Sequence, residues 1–147
     1  MGGSADWQSD CATQLNYSGF NVLNPRRKHW DNEIKQCLGN PVFYDQVTWE
    51  LDGLEKSTYR LFYFLPDSKS PITLMELGLV CNMSTIHKVN TFVVCPDEFY
   101  RSGNVRIMCA RYGICVSSTL SDALSALSMH RYSGIISKNK PLTIYDW

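Results

Sequence analysis

Two carboxylates in this 147-residue chain stand where apolar side chains would be expected. Glu76 interrupts Ser70–Cys81, SPITLMELGLVC, a stretch otherwise made of apolar and small residues. Glu50 falls on the apolar stripe of the preceding helical segment, three residues past Val47 and four before Leu54. An unpartnered carboxylate is costly to bury, so Glu is rarely found wholly inside a protein. One reading pairs Glu76 with a nearby Arg or Lys, or lets it reach solvent beside Gly78. The other makes it a nucleophile or general base kept in a dry cleft. Two carboxylates converging from adjacent helices suit glycosyl transfer, in which one attacks the anomeric carbon while the other protonates the leaving group.

The elements that must position these acids follow from periodicity. Ser70 reads as an N-cap and Pro71 as the first helical residue. That places Glu76 about one and two-thirds turns into its helix, sharing a face with Ile72, Thr73, Leu79 and Val80. Upstream, residues 5–17 read as a helix closed by Ser18-Gly19, and 21–24 as a short strand stopped by Pro25. The basic loop RRKHWD follows. Residues 43–56 form the helix of Glu50, with Phe43, Val47, Leu51 and Leu54 as its apolar stripe. RLFYFL (60–65) and TFVVC (91–95) are continuous apolar runs, the pattern of strands buried on both faces. Residues 104–112 read as a helix ended by Gly113, and 114–117 as a strand. Thr119 opens a last helix, to about 132, with Asp122 in a capping-box position. Strands alternating with helices through short loops imply one α/β domain over residues 1–147, a parallel sheet with helices on both faces. Ligands of such sheets bind outside the C-terminal ends of the strands. The candidate site is therefore assembled from the strand-to-helix junctions.

Composition narrows the chemistry. Fourteen basic and fourteen acidic residues cancel, so there is no general electrostatic attraction to nucleic acid or to anionic membrane. No apolar run reaches the ~18 residues that span a bilayer, and MGGSADWQ has no signal-peptide core. The six cysteines show no CxxC pair and no zinc-like spacing with His29, His87 or His130. They read as reduced and mostly buried, the usage of a cytoplasmic protein.

Five collinear motifs then carry a resemblance: Asp6-Trp7-Gln8, Leu23–Arg27 with Trp30-Asp31, Val47–Leu51, Ser70–Gly78 and Phe99–Val105. Over roughly residues 2–125 the chain resembles the nucleoside 2-deoxyribosyltransferases. The resemblance implies a flavodoxin-like, doubly wound parallel sheet of about five strands, assembled as a homodimer or higher homo-oligomer. It implies a small-molecule nucleoside or nucleotide substrate, no nucleic acid polymer and no metal or organic cofactor. Glu76 falls on the family's nucleophile, which would attack C1′ of a 2-deoxyribonucleoside and displace the base. Glu50 falls on the acid that contacts or protonates that base. Gly3, Ser4, Asp6, Asn24 and Arg27 fall among substrate-contacting positions, with Arg26 an alternative to Arg27. Ser70 matches a sugar- or phosphate-contacting position, and Asn104 one that enters a neighbouring subunit's site. Transfer to a second base, hydrolysis by water and simple nucleotide binding all stay open.

The family pattern opens on a central strand, bearing an active-site Tyr, before its Gly-rich loop; here only Met1 precedes Gly2. Either the chain is truncated or another segment takes that place. The strand-like LTIYDW, 142–147, is the candidate, from its own chain or a neighbour's, with Tyr145 standing in for the Tyr. The alternative is a tail lying on the surface or over the site.

Overall fold

The computed structural model describes residues 6–26, 33–130 and 141–145, the last segment by its backbone and the Ile144 side chain. Helix α1 (Trp7–Tyr17) starts at Asp6, whose carboxylate accepts from Ser9 N at 3.1 Å and Ser9 Oγ at 2.8 Å. It ends where Gly19 turns left-handed, at φ 80°. Strand β1 (Asn21–Leu23) follows. Helix α2 (Pro41–Lys56) begins two residues before the apolar stripe predicts. Asn40 accepts from Val42 N and Phe43 N at 3.1 and 3.3 Å, and Pro41 takes the first turn, where its missing N–H costs nothing.

Strand β2 (Tyr59–Tyr63), helix α3 (Pro71–Cys81), the short helix α4 (Thr85–Val89) and strand β3 (Thr91–Val94) come next. Then follow α5 (Ser102–Tyr112), β4 (Cys115–Ser117), α6 (Leu120–His130) and β5 (Pro141–Tyr145). Gly113, at φ 70°, closes α5. Thr119 opens α6 by accepting from Asp122 N at 3.1 Å while its hydroxyl donates to the Asp122 carboxylate at 2.7 Å. Helix α4 has fewer than two turns and no apolar stripe, so periodicity could not announce it.

The five strands form one parallel sheet in the order β1-β5-β2-β3-β4. This is a flavodoxin-like, doubly wound sheet. Strand β5 lies in its interior, pairing Pro141–Thr143 with Asn21–Leu23 on one side and Leu142–Tyr145 with Tyr59–Phe62 on the other. That interior place is the one held by the first strand of a 2-1-3-4-5 sheet. Side chains alternate across the sheet into two cores. Phe62, Phe64, Val93 and Cys95 meet Leu54 of α2, Leu77 and Val80 of α3 and Cys109 of α5. On the opposite face Tyr59, Leu61, Phe92, Val94 and Ile144 meet Trp7, Cys11 and Leu15 of α1 and Leu127 of α6. The helices that follow β1, β2 and β3 thus share one face, and α1 and α6 cover the other.

All six cysteines are free thiols; four are buried, Cys37 is half-buried and Cys115 is exposed. Among the described residues no helix is long and apolar enough to cross a membrane.

Candidate functional site

Glu50 and Glu76 reach the site from the two helices flanking β2 in the chain, both on the same face of the sheet. The face that α2 turns inward is not the expected apolar stripe. Its buried residues are Gln46, Glu50, Gly53 and Leu54, whereas Leu51 is 36% exposed. A polar pair therefore occupies one inner turn of an otherwise ordinary amphipathic helix. The far end of α2 is held by Arg60 of β2, itself wholly buried. Its guanidinium donates to the carbonyls of Leu54 at 2.6 Å, Glu55 at 3.2 Å and Ser57 at 2.8 Å. A cation here satisfies orphan carbonyls and opposes the negative end of the helix dipole.

On α3 the inward face carries Thr73, Glu76, Leu77 and Val80. Ile72 and Leu79, expected beside Glu76, point outward at 44% and 39% exposure. They lie on the far edge of the ±3/±4 neighbourhood, and the helix is rotated so that, of the four residues expected on the acid's face, Thr73 and Val80 go inward with it, joined by Leu77. Glu76 is only 3% exposed, and its Oε2 has no hydrogen-bond partner among the described residues. Burial, and then the charge of Glu50, push its carboxyl up to about 8. The acid is thus held neutral near pH 7 by a dry setting and a second carboxylate.

Glu50 is likewise buried, and Gln46 Nε2 donates to its Oε1. The same amide nitrogen donates to the carbonyl of Pro25, at 3.4 Å, just past the C-terminal end of β1. Beside it opens a cavity of about 400 Å³, lined by Asn24, Pro25, Arg26, Asp45, Gln46 and Trp49. Arg26 is fixed at this mouth from the α1 side. Its Nη1 donates to Gln8 Oε1 at 3.0 Å and its Nε lies 3.6 Å from Asp6 Oδ1. Asn24 accepts from Arg26 N at 2.9 Å, an Asx turn that shapes the loop. The Ser9 hydroxyl, and less strongly Arg26, hold the Asp6 carboxyl below its usual range.

Ser70 stands at the mouth of α3, but not as the cap that its type suggests. Its backbone is left-handed, φ 44° and ψ 49°, and its side chain makes no capping bond. Its hydroxyl instead meets that of Ser68, and it is buried. The segment from Ser68 to Ser70, which follows the Leu65–Ser68 turn, is braced by Tyr100, whose hydroxyl donates to the Lys69 carbonyl at 3.1 Å.

The structure therefore gathers Glu50 and Glu76 into one pair, and Asp6, Asn24 and Arg26 around the neighbouring cavity. Asn104 is not brought to them. It is exposed in the first turn of α5, which Arg101 rather than Asn104 precedes as the cap position. Gly3, Ser4 and Arg27 lie outside the described residues. Tyr145 is placed by its backbone, opposite Phe62 at the end of β5, and its side chain lies outside them too. Two residues escaped the sequence reading. Gln46 was discoverable from its i, i+4 spacing to Glu50, a pairing distance on any helix. Gln8 sits in the DWQ motif, yet nothing in its spacing announces the bond to Arg26. Among the described residues no three His, Cys, Asp or Glu side chains gather as metal ligands would.

A parallel α/β sheet with a buried acid pair beside the C-terminal ends of its strands defines a doubly wound α/β protein with a candidate site at that edge. The family model described as nucleoside 2-deoxyribosyltransferase like matches residues 1–99, and the chain belongs to that family. No curated protein matches the chain.

Proposed function

We propose that the protein cleaves the N-glycosidic bond of a 2-deoxyribonucleoside, or of its 5′-monophosphate, and passes the sugar to a second base. The observation that supports this most is the buried, unpartnered Glu76 oxygen beside Glu50. A pair of carboxyls holding one proton supplies both things the reaction needs. With the proton on Glu50, Glu76 is a carboxylate, and one of its oxygens attacks C1′. The C1′–N bond breaks, its electrons go to the base nitrogen, and the Glu50 proton neutralises the departing base. The product is a deoxyribosyl ester on Glu76. A nitrogen of an incoming base then attacks C1′, returns the electron pair to Glu76 and gives up its proton to Glu50, which restores the pair.

The hydroxyls of Ser68 and Ser70 and the cation of Arg26 suit the polar end of such a substrate, and the Ser pair favours one that carries a 5′-phosphate. Outside the site, α3 presents Ile72, Met75 and Leu79 to solvent with no charge among them. That face supports assembly as a homo-oligomer.

The test is to incubate the protein with a deoxynucleoside and a foreign base, and to follow both new nucleoside and free deoxyribose. Base exchange, with a deoxyribosyl adduct on Glu76 seen by mass spectrometry, supports the reading. Free sugar alone assigns the protein as a hydrolase, and undiminished turnover in Glu76→Ala overturns the mechanism.

A further inference from the structure

The Pro25 carbonyl orients the amide of Gln46. The carbonyl oxygen of Pro25 can accept a hydrogen bond but never donate one, so the side of the amide turned to it is the NH2. That nitrogen carries two hydrogens, and the second is directed at Glu50 Oε1. Glu50 is thereby cast as an acceptor at this oxygen. Donation to a carboxylate stabilises its charged form more than its neutral one. Glu76, one helix away, has no such donor on its Oε2. Two acids in one dry site share a proton unevenly when only one of them is given a donor.

We propose that Gln46 is the positioning residue of the acid pair: bound between the Pro25 carbonyl and Glu50, it fixes the rotamer of Glu50 and makes it the member that ionises first. This rests on the proposed function for its catalytic consequence, though not for its titration. Glu50 becomes the stronger acid of the two, so the proton passes from Glu76 to Glu50 as the substrate binds, and only then does Glu76 attack as a carboxylate while Glu50 protonates the departing base. The proton stays on Glu76 while the site is empty, which keeps the nucleophile neutral where charge would be costliest. The raised carboxyl of Glu76 agrees with this order of ionisation.

Asp45 and Arg26 line the adjoining cavity, with Arg26 partly neutralised by Asp6. Arg60 caps the far end of α2. Helix α2 also contacts β5, whose Tyr145 has its side chain outside the described residues. Gln46→Met removes the donor and none of these charges, and it keeps the length of the side chain.

The experiment follows the carboxyl carbons of Glu50 and Glu76 by NMR in protein carrying 13C-labelled glutamate, from acid to pH 9. In parallel, the pH profile of kcat/KM for base exchange is recorded. Gln46→Met is expected to raise the first ionisation of the pair, and with it the acidic limb of the profile, by about one to two pH units. The basic limb, set by the second ionisation, stays in place, because Gln46 helps the ion of Glu50 equally before and after that step. Gln46→Asn, too short to span both acceptors, shows the same displacement and serves where the Met variant does not fold. A uniform fall in kcat/KM at every pH, with the carboxyl titrations unmoved, overturns the proposal and leaves Gln46 as packing. If the wild-type protein exchanges no base, the proposed function fails. The NMR titration still decides the role of Gln46.

Discussion

Ile144 stands directly opposite Leu61 across the β5–β2 ladder, and both side chains are wholly buried. Through β5 the two halves of the candidate site are joined. Strand β1, with the Asn24–Arg26 turn behind it, has β5 as its sheet neighbour among the described strands. Strand β2, leading to α3 and Glu76, is on the other side. Truncating Ile144 to Ala leaves a cavity against Leu61 and the α1–α6 face. It is expected to lower the unfolding free energy by about 2–4 kcal/mol, read as a fall in the urea midpoint at unchanged slope. Amide exchange at Val22 is expected to accelerate more than at Val93, since β1 loses its support first. An unchanged midpoint would show that residues 141–145 do not stand inside the sheet.

Arg60 gives a second prediction on stability. Three carbonyls at the end of α2 depend on one guanidinium that no solvent reaches. In Arg60→Met the chain length is kept and the donors vanish, leaving those carbonyls unpaired at the negative end of the helix. The expected loss is about 2–4 kcal/mol, measured by thermal or denaturant unfolding. Arg60→Lys recovers only part, because one ammonium cannot reproduce the planar fork.

What the sequence disclosed and withheld can be seen in the same elements. The apolar runs of β2 and β3 named buried parallel strands without ambiguity, and the doubly wound architecture followed from their alternation with helices. Glu76 was legible as an anomaly because everything around it is apolar. Glu50 was legible only in part. Its helix carries enough Phe, Val and Leu to suggest an apolar inner stripe, yet tertiary contacts turn Gln46 and Glu50 inward and Leu51 outward. Side-chain type sets the period of a helix but only loosely its rotation about its axis. Ser70 shows a different limit. Its residue type suits a cap, yet it takes a left-handed φ next to Lys69, whose carbonyl is held by Tyr100 from 31 positions away, a contact that no local pattern announces. The Arg26–Gln8 bond joins residues 18 positions apart, beyond the reach of any periodicity.

That left-handed Ser70 supplies a further test. For a residue with a Cβ, the conformation costs roughly 1 kcal/mol or more relative to Gly. Ser70→Gly removes both the strain and the hydroxyl, while Ser70→Ala removes the hydroxyl alone. The Gly variant is therefore expected to be the more stable of the two by about 1 kcal/mol in denaturant unfolding. If the Ser70 hydroxyl holds a substrate phosphate, both variants lose rate with a deoxynucleoside 5′-monophosphate several-fold more than with the free nucleoside. Equal losses on the two substrates would remove Ser70 from phosphate recognition.

Glu76 makes stability itself depend on pH in a way that a surface acid would not. Its carboxyl is raised from 4.5 to about 8 by burial and by Glu50, so the folded state holds a proton that the unfolded chain releases. Between those values the unfolded state binds fewer protons at this group, and stability falls as pH rises. The decline begins near 4.5 and levels off above about 8. Each pH unit of difference corresponds to about 1.4 kcal/mol, so the whole effect is on the order of 5 kcal/mol. Glu76→Gln keeps the shape and cannot ionise. Its unfolding free energy is expected to vary much less between pH 5 and pH 8.5, and to exceed that of the wild type at the upper end. Urea titrations of both proteins at these two pH values decide it. A wild-type midpoint that does not fall with pH would mean that Glu76 ionises as freely in the folded protein as in the unfolded chain, and the dry acid pair on which the proposed chemistry depends would be lost with it.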